Sequence, residues 1–345
     1  MRIILDVMGG DNPVEEFVKG AAMARNKFRE KITLVGNETL IRDALKKHGV
    51  PANVFEIIHV DDFITMEDDP MSITGIHRDS SMARALKMLA EGHGDAVVSS
   101  GNTGALFTGA TLFEKRIKGV RRAALATVIL YKSPVMLLDC GANVSVTPEY
   151  LVQFAYLGSI YMEKVLGIQS PRVALLNNGT EIHKGTALVL ETYKMLKETP
   201  DLNFVGNVEG KDVPFGKCDV VVTDGFTGNV MLKTSEGVSN YMIQGVREKI
   251  FGGLAGKISS LLKGGEALRL FRRVDVKEYG GAPFLGLSKP VIKAHGDSDA
   301  RAVCAAIDQA IQYVRMGVVE EITACADRFP KPVIPKRTNV DTENT

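Results

Sequence analysis

The chain has 345 residues, 45% of them hydrophobic, and a formal net charge of +1. This hydrophobic content excludes a disordered chain and suffices for one large core, while the near-neutral charge excludes a general attraction to nucleic acid. The four cysteines form no CxxC pair, which is typical of reduced thiols in a cytoplasmic protein. Residues 1–6 are predicted as a strand with a carboxylate at its end, so we expect no signal peptide, and no uncharged apolar run reaches the length of a membrane span.

In chain order, the sequence alternates between strand and helix patterns. Strands are predicted at residues 2–7, 31–36 and 53–60, and helices at 13–28, 38–48 and 80–91, with an acidic loop at 61–70. The pattern repeats to about residue 245, and two more helices are predicted at 298–315 and 318–328. Such alternation predicts a Rossmann-like three-layer α/β/α fold with a mostly parallel sheet. Because no linker rich in Pro or Ser interrupts it, we predict a single domain over 1–329 and a flexible tail over 330–345.

Six predicted strands run into loops that are rich in glycine, asparagine and other small polar residues. In an open α/β sheet, ligands bind outside the carboxyl ends of the strands, and glycine lets the backbone expose its N–H groups there. The repetition therefore predicts one crevice, lined by backbone amides and small polar side chains, that suits an anion. The loops lie at residues 6–11, 99–104, 139–143, 177–181, 223–229 and 295–297.

Lys184 follows one of these loops and is predicted in the first turn of the next helix. The free N–H groups and the dipole of a helix N-terminus favour an anion, and an ammonium group adds a full charge that can hold phosphate. The alternative is a solvated surface lysine. Amides at four strand ends suit a developing oxyanion, although asparagine is more often a turn or cap residue. These are Asn102, Asn143, Asn177 and Asn229, the last of which is expected to open a helix.

Several familiar catalytic motifs are missing from the sequence. It contains no P-loop, no GxGxxG after the first strand and no GxSxG elbow. No histidines pair at HxxxH spacing and no carboxylates cluster clearly, so we predict neither a metal nor a cofactor. Cys140 is a candidate nucleophile, but without a nearby histidine we interpret it as a buried thiol. An anion crevice with one lysine and several amides suits a substrate that brings its own nucleophile, as phosphate does when it attacks a thioester.

The segment 246–278 breaks the alternation and is basic. It holds eight Lys and Arg residues against four Asp and Glu residues, a net +4. A basic amphipathic hairpin at about 246–273 suits an anionic membrane or an acidic partner protein, and the simpler alternative is a surface or dimer-forming helix pair. The predicted contact residues are Leu254, Lys257, Ile258, Leu261, Leu262, Lys263, Arg269, Arg272 and Arg273.

Seven motifs occur in the same order as in a known family. Together they resemble phosphate acyltransferase, the bacterial acyl-[acyl-carrier-protein]:phosphate acyltransferase of phospholipid synthesis, over roughly residues 1–315. The family's Asp-His-Ala-Pro is here Asp11-Asn12-Pro13-Val14, so no histidine stands beside the first loop, and Cys140 and Asn178 replace small apolar residues. The motifs lie at residues 6–11, 99–105, 138–143, 177–185, 223–229, 279–286 and 295–296.

The resemblance implies a fold related to phosphotransacetylases and isocitrate-type dehydrogenases, usually in a homodimer. It implies transfer of a fatty acyl group from acyl carrier protein to inorganic phosphate, giving an acyl phosphate for glycerol-3-phosphate acylation. It also implies peripheral association with the inner face of the cell membrane, near the downstream glycerol-3-phosphate acyltransferase. Lys184 and Asn229 match the expected catalytic positions. The expected substrate and phosphate contacts are Gly9, Gly10, Asp11, Ser100, Gly101, Asn102, Thr103, Gly104, Asp139, Asn143, Asn177, Thr180, Glu181, Asp224, Gly225, Phe226, Thr227, Gly228 and His295.

The expected mechanism is direct transfer without a covalent enzyme intermediate. Lys184 would bind phosphate and assist its deprotonation, and Asn229 with loop amides would stabilise the tetrahedral oxyanion. Three other functions stay open at this point. They are a phosphate acetyl- or butyryltransferase that uses acyl-coenzyme A, an NAD-dependent hydroxyacid dehydrogenase, and a non-catalytic anion-binding scaffold at the membrane.

Overall fold

A computed structural model of the chain describes residues 1–251 and 280–330. The strands in these ranges are β1 (Arg2–Asp6), β2 (Lys31–Gly36), β3 (Glu56–His59), β4 (Ala96–Ser99), β5 (Ala124–Leu130), β6 (Pro134–Leu138), β7 (Val173–Asn177), β8 (Phe204–Glu209), β9 (Val220–Val222), β10 (Ala282–Leu285) and β11 (Val291–Lys293). The α-helices are α1 (Val14–Phe28), α2 (Glu38–Lys47), α3 (Ser81–Ala90), α4 (Thr103–Gly109), α5 (Pro148–Leu166), α6 (Ala187–Lys197), α7 (Gly225–Phe251), α8 (Ala300–Arg315) and α9 (Val318–Cys325).

The strands form one mixed sheet in the order β3-β2-β1-β4-β11-β10-β5-β6-β9-β7-β8. Two parallel blocks make up most of it, one from β3 to β11 and the other from β6 to β8. Strands β10 and β5 stand between the blocks and pair antiparallel with their neighbours and with each other. These three successive reversals make the two parallel blocks run in opposite directions.

Apolar runs in the central strands explain why helices cover both faces of the sheet. In β1, Ile3 and Leu5 pack into one hydrophobic cluster and Ile4 into the other, because successive side chains of a strand point to opposite faces. All three valines of β9 are fully buried, which is typical of parallel strands covered on both sides. Helices α1, α5 and α8 contribute to the first cluster, and α3 and α4 to the second. The predicted three-layer α/β/α fold with a mostly parallel sheet is confirmed.

Most predicted boundaries agree with the structure to within a few residues, and local chemistry explains the differences. Helix α3 begins after Ser80, whose Oγ accepts a hydrogen bond from a backbone N–H, and α8 begins after Asp299, which does the same. The strand predicted at 53–60 is wrong in its first half, because Pro51 starts a short 3₁₀ turn at Ala52–Val54. Helix α7 continues to Phe251, past the expected break near residue 245.

Two expectations concern residues outside the described ranges. The predicted basic hairpin lies largely in 252–279, and the predicted tail lies almost wholly in 331–345. The prediction of a single domain over 1–329 stays a prediction. No helix in the two described ranges combines the length and the apolar character that crossing a membrane requires.

Candidate active site

The glycine- and asparagine-rich loops fall into two groups at opposite edges of the sheet. The first loop group follows β1, β4 and β11, and the second loop group follows β6, β7 and β9. The sequence led us to expect all six loops in one crevice. Strand direction alone does not place them there, because β5 and β10 reverse the sheet between the two groups. Helix α7 links the two groups. It begins in the second group, and Nζ of its Lys233 lies 3.4 Å from Nε2 of His295 in the first.

A buried carboxylate organises the loop that follows β6. Asp139 is fully buried, and its oxygens accept hydrogen bonds from the backbone N–H groups of Gly141, Ala142 and Asn143. They also accept one from Nδ2 of Asn143 at 2.6 Å. Burial raises the pKa of Asp139, and these hydrogen bonds oppose part of that rise. The loop is thus built around a single side chain.

Asn143 connects this loop to the start of α7. Its Nδ2 donates to the carbonyl oxygen of Ala123 at 2.8 Å, and its own carbonyl oxygen accepts from the N–H of Gly225 at 2.8 Å. The helix approaches so closely that a Cβ added at Gly228 would overlap the carbonyl oxygen of Asp139. Gly225 and Gly228 therefore permit close packing, and the N–H of Gly225 is not free to bind an anion.

Helix α7 begins at Gly225, so the prediction that Asn229 opens it is wrong. Asp224 takes that role, because its carboxylate accepts hydrogen bonds from the backbone N–H of Thr227 at 2.9 Å and from its hydroxyl at 2.7 Å. Asn229 lies in the second turn of the helix, where its side chain is exposed beside Gly141. Asp224 and Thr227 are therefore occupied with helix capping.

Lys184 lies in a turn ahead of α6, so its predicted place in the first helical turn is also wrong. The helix begins at Ala187 after Thr186, whose Oγ1 accepts from a backbone N–H. Gly185 has φ of +106°, which interrupts helical geometry directly after the lysine. The carbonyl oxygen of Lys184 accepts from Nδ2 of Asn177 at 3.0 Å, which holds the turn against the end of β7.

The side chains of Lys184 and Asn229 are available to bind a ligand, whereas the other three predicted asparagines form hydrogen bonds within the protein. Both side chains are exposed, and neither forms a hydrogen bond or ion pair with any residue in the described part of the chain. Since β7 and β9 are adjacent and parallel, Lys184, in the loop after β7, and Asn229, in the second turn of the helix after β9, lie at the same edge of the sheet. Thr180, Glu181 and Phe226 are exposed at the same edge. An ammonium group and an amide donor are thus available together for an anionic ligand.

The first loop group contains a buried acid that the sequence analysis did not select. Asp6 is 1% exposed, its Oδ2 accepts from the Ser99 hydroxyl at 2.7 Å, and its Oδ1 accepts from the N–H of Met8 at 3.2 Å. Burial raises the pKa of Asp6 to about 6, although these hydrogen bonds and the charge of Lys293 oppose the rise. Asp6 therefore titrates closer to neutrality than an ordinary aspartate.

Lys293, at the end of β11, is the second buried charge that was missed. Its Nζ donates to the carbonyl oxygens of Ser100 at 2.8 Å and Ala294 at 2.6 Å. Burial lowers its pKa to about 8, against the charges of Asp11 and Asp6, which favour the ammonium form. A charged residue at the end of an otherwise apolar run, as at Asp6 and Lys293, is the signal that could have identified both.

The remaining predicted contacts of the first loop group mainly hold one another. Asn102 caps α4 through its Oδ1, and its Nδ2 donates to three carbonyl oxygens in the 65–68 segment. The N–H of Asp11 donates to the carbonyl oxygen of Gly296, and His295 bonds to Asp297. The Ser100 hydroxyl is buried without a hydrogen bond to any described residue. The same turns contain Gly9, Gly10, Gly101, Thr103 and Gly104.

The Asp6→Asn variant is expected to change the pH dependence of stability. The pKa is 3.8 in the unfolded chain and about 6 in the folded protein. Between these values the folded state binds more protons, so the free energy of unfolding of the wild type should fall as pH rises, by up to about 3 kcal/mol. Urea unfolding from pH 4 to 7 measures this. If the free energy of unfolding depends on pH in the same way in the variant and the wild type, the raised pKa of Asp6 is contradicted.

Cys140 does not have the setting of a nucleophile. It is 3% exposed, and its Sγ lies 3.2 Å from the carbonyl oxygen of Leu125, to which the thiol donates. Burial raises the pKa of the thiol well above its ordinary value. Since the thiolate is the reactive form, this environment supports the interpretation of a buried thiol.

Solved structures define the class of the fold. The chain superposes on a phosphotransacetylase from Streptococcus pyogenes with a TM-score of 0.60 and 16% identity, covering 92% of this chain and 94% of that one. A branched-chain phosphotransacylase from Enterococcus faecalis V583 gives 0.57 and 15%, covering 91% and 99%. A 4-hydroxythreonine-4-phosphate dehydrogenase from Klebsiella pneumoniae gives 0.53 and 13%, covering 91% and 99%. The protein thus has the α/β fold of phosphotransacetylases and related dehydrogenases.

Sequence relatives give the family. The model of the family described as "Fatty acid synthesis protein" matches residues 1–321. A phosphate acyltransferase from Clostridioides difficile (strain 630) is 40% identical over 331 residues, or 95% of this chain and 97% of the relative. Another from Fusobacterium nucleatum is 43% identical over 325 residues, or 93% and 98%. The chain belongs to the phosphate acyltransferase family.

Proposed function

We propose that this protein transfers a fatty acyl group from acyl carrier protein to inorganic phosphate, giving an acyl phosphate that serves glycerol-3-phosphate acylation. Membership of the phosphate acyltransferase family supports the reaction type. The observation that carries the assignment of the site is the pair formed by Lys184 and Asn229. Lys184 lies in the loop after β7 and Asn229 in the helix that follows the adjacent strand β9, and neither side chain forms a hydrogen bond or ion pair with a described residue.

The chemistry needs positioning and charge stabilisation more than an enzyme nucleophile. A phosphate oxygen attacks the thioester carbonyl carbon, the new C–O bond forms, and the C–S bond breaks to release the thiolate, which takes up a proton. The Lys184 ammonium holds the phosphate, and the Asn229 amide donates to the carbonyl oxygen as it becomes an oxyanion. The hydrogen bonds from Asp139 through Asn143 to Gly225 fix the start of α7, the helix that carries Asn229. The buried thiol of Cys140 takes no part.

The nature of the acyl donor provides the direct test. Purified protein should form acyl phosphate from long-chain acyl carrier protein and inorganic phosphate, with neither metal nor nucleotide added, and hydroxylamine trapping would detect the product. Formation of product from acyl-coenzyme A alone would favour the phosphate acetyl- or butyryltransferase alternative. Phosphate binding without turnover on either donor would favour the non-catalytic scaffold.

We also propose a homodimer in the cytoplasm that contacts the inner face of the membrane. An exposed apolar stripe along α7 supports the homodimer, because a second subunit would cover it and exposed apolar patches usually mark interfaces. The net charge of +4 in segment 246–278 supports contact with anionic lipid near the downstream glycerol-3-phosphate acyltransferase. The stripe consists of Phe226, Val230, Val238, Tyr241 and Met242.

A further inference from the structure

A second basic segment, which the sequence analysis did not single out, lies within the described residues. Residues 115–122, here called the basic loop, read Lys-Arg-Ile-Lys-Gly-Val-Arg-Arg and contain five cations in eight positions. They lead from the helical segment after α4 into β5. In a chain whose total charge is only +1, this is a strong local concentration of positive charge.

Within the described part of the chain, the basic loop brings together five cations that have no acidic partner, whereas several other surface cations are paired. Elsewhere, Lys47 pairs with Glu15 at 2.7 Å, and Lys164 pairs with Glu321 at 2.6 Å. None of the five forms an ion pair with a carboxylate in residues 1–251 or 280–330. Their positive field is therefore available to a partner. The five cations are Lys115, Arg116, Lys118, Arg121 and Arg122.

The basic loop is held in place by the protein interior. The buried Gln153 of α5 accepts from the N–H of Arg121 at 2.8 Å and donates to the carbonyl oxygen of Gly119 at 3.3 Å. On the other side, the N–H of Ile117 donates to the carbonyl oxygen of Gly286 at 3.0 Å. A loop that is ordered in advance loses less conformational entropy when a partner binds.

The basic loop also shapes a concave surface. An open cavity of about 680 Å³ is lined by Thr111, Tyr150 and three arginines of the loop. The Arg122 guanidinium lies 5.9 Å from the centre of the Tyr150 ring, which helps to orient it. The arginines give this open cavity a positive lining, which complements an acidic protein surface.

The position of the basic loop connects it to the candidate active site. Arg122 directly precedes Ala123, whose carbonyl oxygen accepts the hydrogen bond from Nδ2 of Asn143 at 2.8 Å. Asn143 in turn holds the N–H of Gly225 at the start of α7, the helix that carries Asn229. A partner bound at the basic loop would thus lie beside the second loop group.

We propose that the basic loop and its cavity are the docking surface for an acidic carrier protein that delivers the acyl thioester to the second loop group. The inference rests on the proposed function. Charge complementarity selects an acidic protein, and five cations without an acidic partner among the described residues exceed what one free phosphate ion requires. The position of the basic loop beside the second loop group favours a partner that delivers the substrate over a lipid surface, which the charge of the segment 246–278 suits better.

The test reverses two exposed charges that form no hydrogen bond within the described residues. The Lys118→Glu/Arg122→Glu variant should raise the KM for long-chain acyl carrier protein about tenfold at low salt, without a similar rise in the KM for phosphate. The salt dependence of that KM should weaken in the variant, because screening acts on the removed charges. A matched control, Lys19→Glu/Lys46→Glu, makes the same change of charge on the distant helices α1 and α2 and should keep the wild-type KM.

Each outcome decides between the alternatives. If charge reversal prevents folding, as thermal unfolding would reveal, the Lys118→Gln/Arg122→Gln variant should give a smaller rise in the same KM. An unchanged KM for the carrier-bound donor in a folded variant overturns the docking surface but leaves the proposed function intact. Weakened binding to anionic vesicles, with an unchanged KM, assigns the basic loop to the membrane instead. Wild-type protein that makes no acyl phosphate from the carrier-bound donor overturns the proposed function itself.

Discussion

Replacing Lys184 by alanine is expected to lower kcat for acyl phosphate formation by about a hundredfold or more. The lysine supplies a full positive charge on the loop after β7, and its ammonium group has no acidic partner within the described ranges that would divert it. Because the side chain is exposed, its removal should leave the fold intact. Steady-state kinetics with saturating phosphate and long-chain acyl carrier protein measure the loss, and circular dichroism checks the fold.

Two further variants make the Lys184 prediction specific. Lys197→Ala removes an exposed lysine from the far end of α6 and should keep near-wild-type activity. Lys184→Arg retains the charge but cannot accept a proton at neutral pH. An active arginine variant would indicate a fixed charge that holds phosphate, whereas an inactive one would indicate proton transfer. A Lys184→Ala variant with near-normal turnover would remove this residue from the site.

Replacing Asp139 by alanine is expected to cost about 3 kcal/mol or more in the free energy of unfolding. The change removes the acceptor of three backbone N–H groups in this loop and of the buried Asn143 side-chain amide. It should also lower activity, because Asn143 positions the first turn of α7 and hence Asn229. Urea unfolding at pH 7 and the acyl phosphate assay measure the two effects.

The Asp139 prediction has its own control. Asp43→Ala removes an exposed aspartate from α2 and should change the free energy of unfolding by no more than about 0.5 kcal/mol. The Asp139→Asn variant keeps the shape of the side chain with one acceptor oxygen and should fall between wild type and alanine. If Asp139→Ala is as stable as Asp43→Ala, the carboxylate does not organise the loop.

The family and the two proposed catalytic residues were accessible from the sequence because they lie in short continuous motifs. Their local conformations were not. Asn229 stands after Gly225-Phe226-Thr227-Gly228, a run that looks like a loop because of its glycines. The structure places this run inside α7, since the glycines allow the helix to pack against the loop of Asp139. Packing against a segment that is distant in sequence thus makes this run helical, although its local propensity favours a loop.

By itself, the sequence determined the alternation of strands and helices, the loops at the strand ends and the family. These features depend on residues that are near each other in the chain, through hydrophobic periodicity, turn chemistry and contiguous motifs. Only the tertiary structure decided that β5 and β10 reverse the sheet and divide the loops into two groups. It also decided that Asp6 and Lys293 are buried charges with shifted pKa values, and that the basic loop lies beside Asn143. Strand direction, burial and proximity depend on contacts between distant residues, which no local pattern contains.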